Sequence, residues 1–235
     1  MIEITSSTEL PSKRQALNLI TSDNLKLVAE LATPVSVKPV ATLLTLHPLP
    51  THGGFMDSHI LRKAANRLPA LADLAVLRFN TRGTTSPHGT SEGSFGDGIE
   101  EEKDLAAALD FLKGEDMGPI WLVGWSFGTE LAIKYGFDKD IAGAILLSPP
   151  LRRANEANLE KWIGSGKKVI ALVPEHDDFL PPGPAATRFG VLPEAEMIYV
   201  DDAKHLWVGE ISTKRVLNEI VRAVNPSRYP LPESY

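Results

Sequence analysis

The chain has 235 residues, 43% of them apolar and 23% charged, with a formal net charge of −6; these values fit one soluble globular domain and give no basic surface for nucleic acid or acidic lipid. Its Lys/Arg pairs, Lys13-Arg14, Arg152-Arg153 and Lys167-Lys168, are isolated, and there is no cysteine, which excludes disulfides, a thiolate nucleophile and a Cys-based zinc site.

The first ten residues lack the basic start and long apolar core of a signal peptide. No apolar run approaches the ~18–20 residues that span a bilayer. A cytoplasmic protein without membrane contact is the expectation. Residues 15–21 and 25–33 alternate apolar and polar positions around Ser22-Asp23-Asn24, which predicts a β-hairpin at a sheet edge.

Downstream the pattern changes to short apolar runs at 41–46, 75–79, 120–123, 141–147, 169–173 and 197–200. Helical patterns fall between or after them, at 58–68, 99–112, 128–135, 158–163, 185–189 and 211–224. Buried strands alternating with helices predict an α/β fold: about eight strands, mostly parallel, covered on both faces. No repeat or linker divides the chain, so residues 1–235 read as a single domain, with 225–235 a tail held by Tyr229 and Tyr235. The longest irregular stretch, 80–98, follows a strand and is expected at the ligand-binding edge of the sheet. The run Glu100-Glu101-Glu102-Lys103-Asp104 reads as a solvated first helical turn, where negative charge suits the dipole.

The motif that carries chemistry is Gly124-Trp125-Ser126-Phe127-Gly128, set between an apolar strand pattern and a helical one. Such a Gly-x-Ser-x-Gly describes a nucleophile elbow, in which a sharp turn exposes the serine hydroxyl above the sheet. The glycines are needed because a side chain at either position would collide with the neighbouring strand and helix. A serine hydroxyl needs a base to take its proton, and the base needs a carboxylate to orient it. In this scaffold the partners follow in the order serine, acid, histidine.

Only His176 and His205 come after Ser126. His176 sits beside the candidate acids and would leave only Asp201 or Asp202 to orient it; His205 follows the last strand and is the expected base. Asp177 and Asp178 both follow the preceding strand and are the candidate acids. The backbone N–H of Phe127 is one expected oxyanion donor. The second should come from the loop His47-Pro48-Leu49-Pro50-Thr51-His52, where the prolines have no N–H and so leave Leu49 or Thr51, with Leu49 preferred.

These residues, with the segment from Glu175 through Pro182, the Lys204-His205 pair and the His47-Pro48 loop, resemble the α/β-hydrolase family over most of the chain. The run Arg78-Phe79-Asn80-Thr81-Arg82-Gly83 looks like its small capless members, related to dienelactone hydrolases and short-chain esterases. In the family's acid-loop pattern the aspartate stands two residues before an apolar pair and a proline, which falls on Asp177. Two positions depart: many members have glycine at Pro174, and many have His-Gly where this chain has His47-Pro48. About 18 residues separate Leu151 from Val169, too few for the lid domain many members insert there, so an open site is implied.

The expected activity is a serine hydrolase of small carboxylic esters or thioesters, with Ser126, Asp177 and His205 as a triad. It implies a small-molecule substrate and no cofactor or metal. Oligomeric state is not readable from the sequence. A peptidase, an acyltransferase or a non-catalytic ligand-binding protein could use the same fold. Arg78, Arg82 and His47 are expected to brace loops, and Trp121 and Trp162 to fill the core. Trp125 and Trp207 flank site residues and are expected in an acyl pocket.

Overall fold

A computed structural model describes residues 3–137 and 140–235; Met1, Ile2, Asp138 and Lys139, which the single-domain reading includes, lie outside the described residues. The chain opens with strands β1 (Lys13–Ile20), β2 (Lys26–Thr33) and β3 (Ala41–Leu46). It continues through helix α1 (His59–Ala72), strand β4 (Leu74–Phe79) and the two-residue strands β5 (Thr85–Ser86) and β6 (Gly89–Thr90). From there strands and helices alternate: α2 (Glu101–Lys113), β7 (Ile120–Trp125), α3 (Phe127–Tyr135), β8 (Ile141–Leu147), α4 (Glu156–Glu160), β9 (Lys168–His176), α5 (Pro182–Phe189), β10 (Glu196–Lys204) and α6 (Glu210–Val224).

Eight strands form one sheet in the order β1-β2-β4-β3-β7-β8-β9-β10. β2 pairs antiparallel with both β1 and β4, and every other pairing in this sheet is parallel. The pleat divides the apolar residues between two cores. On one face Leu44, Leu122 and Leu146 pack beneath α2, α3 and α5 through Leu105, Leu131 and Phe189. On the other, Leu43, Val123 and Ile145 pack beneath α1 and α6 through Ile60 and Ile220. No lid interrupts the segment between β8 and β9, which holds only the one-turn α4.

The chain runs from β3 to β4 on one side and later returns to β7 on the other. This reversal opens a crevice at the carboxyl ends of β3 and β7, where open α/β sheets bind ligands.

Three sequence expectations change. Glu101 and Asp104 are fully buried, not solvated. The preceding loop folds back over the helix start, so Glu101 accepts the N–H groups of Gly96 and Gly98, while Asp104 accepts from Arg82. Their charge is offset by donors in place of water.

The tail is anchored differently. Tyr229 and Tyr235 are about half exposed, whereas Leu231 is buried, its N–H bonded to Asn218, and the Ile4 N–H reaches the Glu233 carbonyl. An aliphatic side chain meets the groove beside α6 with no phenol to satisfy.

The stretch 80–98 contains the β5–β6 hairpin and packs along β2, through Ser91 to Val28 and Glu92 to Lys26. It supports the site from behind rather than lining it.

Candidate active site

The elbow is a consequence of steric limits. Ser126 has φ +52° and ψ −117°, a conformation that costs a non-glycine residue about 1–3 kcal/mol and persists only when its surroundings impose it. They do so here by close backbone approach. A Cβ on Gly124 would stand 2.6 Å from the Gly128 carbonyl oxygen, and one on Gly128 only 2.1 Å from that of Leu46 on β3. Thr129 secures the turn, its N–H and hydroxyl both donating to the Ser126 carbonyl, at 2.9 and 2.7 Å.

Ser126 Oγ lies 2.8 Å from His205 Nε2, and His205 Nδ1 lies 2.9 Å from Asp177 Oδ2. His205 and Asp177 are both buried. The other Asp177 oxygen accepts the N–H groups of Phe179 and Leu180, at 2.8 and 3.1 Å. Burial pushes the Asp177 carboxyl up, but the bonds from His205, Leu180 and Phe179 outweigh it and hold the group below the ordinary aspartate range. The carboxylate therefore fixes Nδ1 as the protonated nitrogen and leaves Nε2 free to accept from the serine.

Asp178 points elsewhere, exposed on the pocket rim. His176 is exposed too, its Nε2 3.8 Å from a Glu175 oxygen and 4.0 Å from one of Asp202. These three are the one group among the described residues with metal-ligand character, their ligand atoms within 4.8 Å of one another and all on the surface. They stand outside the pocket lining.

Phe127 begins α3, so its N–H has no partner within the helix. Leu49 begins the short turn Pro50–His52, and its carbonyl accepts from His52 and Gly54, each at 3.0 Å. Leu49 lines the pocket; Thr51 is exposed and does not. The loop carrying Leu49 is tied down by His47, whose Nδ1 donates to the Pro48 carbonyl at 2.6 Å and whose Nε2 accepts the Thr81 N–H at 3.1 Å. Arg78 pairs with Asp57 and Glu30, and Arg82 with Asp104 and Asp23, so both arginines brace loops as expected.

The serine opens into a pocket of about 410 Å³. Its apolar wall is Pro48, Leu49, Phe127, Pro150, Phe179 and Leu206. The Phe179 ring meets the His205 imidazole at a centroid distance of 4.4 Å. Trp125 and Trp207, expected there, lie in the core on the opposite face. A tryptophan that follows a glycine on β7 takes the other side of the pleat from a serine raised out of it. Phe179 was legible as half of the apolar pair after the acid. Pro150 and Leu206 carried no signal, since strand ends alone do not say which loop folds inward.

A family model described as "Alpha/beta hydrolase family" matches residues 46–230. Two curated relatives, both uncharacterized, are each 33% identical. An abhydrolase domain-containing protein of Dictyostelium discoideum aligns over 141 residues, 58% of this chain and 14% of its own length. A protein of Rickettsia prowazekii aligns over 118 residues, 48% of this chain and 46% of its own. The chain thus spans less than half the length of either relative. Among solved structures, a Xanthomonas campestris protein described as a serine hydrolase without lid superposes with a TM-score of 0.75 at 23% identity, covering 96% of this chain and 100% of that one. A serine hydrolase homologue from Coxiella burnetii gives 0.74 at 22%, covering 89% and 97%. An esterase of Pyrococcus furiosus gives 0.72 at 20%, covering 91% and 93%. At these identities the likeness is one of fold.

Proposed function

The chain belongs to the alpha/beta hydrolase family, and from that premise we propose that it is a serine hydrolase of small carboxylic esters or thioesters. The observation that carries this reading is the unbroken row from Ser126 Oγ through both nitrogens of His205 to Asp177, opening on a largely apolar pocket.

In the proposed reaction, Ser126 Oγ attacks the carbonyl carbon as its proton passes to His205 Nε2. Asp177 keeps the imidazole in the required tautomer and stabilises the imidazolium. The N–H groups of Phe127 and Leu49 receive the oxyanion, a role worth about 10²–10³ in turnover per donor. His205 then returns the proton to the departing alkoxide or thiolate, and the ester bond breaks to leave an acyl group on Ser126. Water, deprotonated by His205, releases the acid and restores the serine.

The open pocket, with no lid between β8 and β9, favours small or exposed acyl groups. No helix among the described residues is long and apolar enough to cross a membrane. The reading is tested with p-nitrophenyl acetate and butyrate and the matching thioesters. Hydrolysis that disappears in Ser126→Ala supports it; no turnover of any of them, or turnover unchanged by the substitution, contradicts it.

A further inference from the structure

His205 has a long way to come. It follows β10, the edge strand, yet its ring meets Ser126 at the end of β7, three strand positions away. The chain leaving β10 at Lys204 must therefore turn inward over the sheet within a single residue, and the His205 side chain can be no better placed than that backbone.

Two side chains hold that backbone in place. The indole Nε1 of Trp125 donates to the His205 carbonyl at 3.2 Å, and the Ser148 hydroxyl donates to the same oxygen at 3.1 Å. Trp125 ends β7 and Ser148 directly follows β8, so the carbonyl is held from two adjacent strands, one of which leads into Ser126. One carbonyl oxygen has two lone pairs and can accept both bonds. Both donors are buried, Trp125 at 2% exposure and Ser148 at 1%, so water does not replace either. Each donor is itself held. His59 packs edge-on against the Trp125 ring at 5.0 Å and reaches the Trp207 carbonyl at 3.1 Å, while Ser148, at φ +49°, donates its N–H to Leu172 at 2.9 Å.

We infer that Trp125 and Ser148 are positioning residues that clamp the His205 main chain and so set the distance from Nε2 to the Ser126 hydroxyl. The second residue of the Gly-Trp-Ser-Phe-Gly motif thereby gains a function: it braces the base from the face opposite the pocket. The catalytic consequence rests on the hydrolase reading; the clamp itself does not. Neither residue lines the pocket, so substrate binding should be spared while proton transfer suffers.

The experiment compares wild type with Ser148→Ala and Trp125→Phe, which remove one donor each. It uses ester kinetics and the His205 ring signals in a long-range ¹H–¹⁵N spectrum of the folded protein. Each variant is expected to lose about tenfold in kcat with KM within about twofold, in line with the steep cost of a misplaced base. The His205 nitrogen and Nδ1 proton signals should shift or broaden in both. Unmoved His205 signals would overturn the clamp, whatever kcat does, and so would unchanged kcat in both variants of an active enzyme. If wild type neither turns over nor labels at Ser126, the hydrolase reading fails, and the His205 spectra still decide the clamp.

Discussion

The buried ring of His47 accepts the Thr81 main-chain N–H on Nε2 at 3.1 Å while donating from Nδ1 to the Pro48 carbonyl. One imidazole thus ties the loop after β3 to the loop after β4, and the bond from the Thr81 N–H requires a bare Nε2. A proton there would break that bond and leave only the Thr81 hydroxyl, also 3.1 Å away, as an acceptor. Burial drives the His47 pKa down to about 4, against a smaller opposing effect of the Pro48 carbonyl.

The sign of the pH dependence follows. Unfolded His47 takes up a proton near pH 6.5 and the folded residue only near 4, so between these values the unfolded state holds more protons. This contribution to stability is complete above about pH 6.5 and is lost as pH falls towards 4, to the extent of about 3 kcal/mol. Urea midpoints taken across that window should fall with pH in wild type and more shallowly in His47→Asn. Equal slopes in the two proteins would refute the assignment.

Asp177 and Asp178 are neighbours in sequence but only Asp177 meets His205. Asp177→Asn should lower kcat by ~10³–10⁴, the scale seen when the orienting carboxylate of a serine triad is neutralised. Asp178→Asn should stay within a few-fold of wild type. Steady-state kinetics on one ester separates the two, and a larger loss in the Asp178 variant would reverse the roles.

Gly128→Ala places a methyl group 2.1 Å from the Leu46 carbonyl oxygen, a clash backbone against backbone. It should cost about 3 kcal/mol or more, or leave no soluble protein. Gly114→Ala, at φ −75° just after α2 with its nearest neighbour 3.4 Å from the added carbon, should instead stabilise by up to about 1 kcal/mol. Denaturant titration of both reads the contrast, and equal effects would contradict it.

Glu101→Ala strands the N–H groups of Gly96 and Gly98 and should cost about 1–3 kcal/mol. The exposed neighbour Glu102→Ala should change stability by under about 0.5 kcal/mol. Melting curves for the two variants provide the check; similar values would mean that Glu101 is solvated after all.

These cases mark where the sequence is legible. The alternation of β3, β7 and β8 with helices is written in local apolar runs, and the elbow in glycines whose small size the strand and helix demand. Chain order leaves His176 and His205, and the position after the last strand favours His205 as the candidate base. What could not be read depends on folding back over a distance. Glu101 and Asp104 look solvated until the loop before them closes over the helix start. Trp125 and Trp207 sit beside the candidate residues in sequence, yet the pleat sends them to the opposite core. Leu231, not the two tyrosines, anchors the tail because the groove beside α6 is apolar. The clamp on the His205 carbonyl joins residues 57 and 80 positions apart, beyond any local pattern.

In the proposed reaction the Ser126 hydroxyl is a nucleophile activated by His205, and a fluorophosphonate probe distinguishes that role from an ordinary turn serine. Incubation followed by intact-mass and peptide mass spectrometry should give one covalent adduct on Ser126, absent from Ser126→Ala and strongly slowed in His205→Ala. An unmodified wild-type protein, or an adduct that persists in Ser126→Ala, would contradict it.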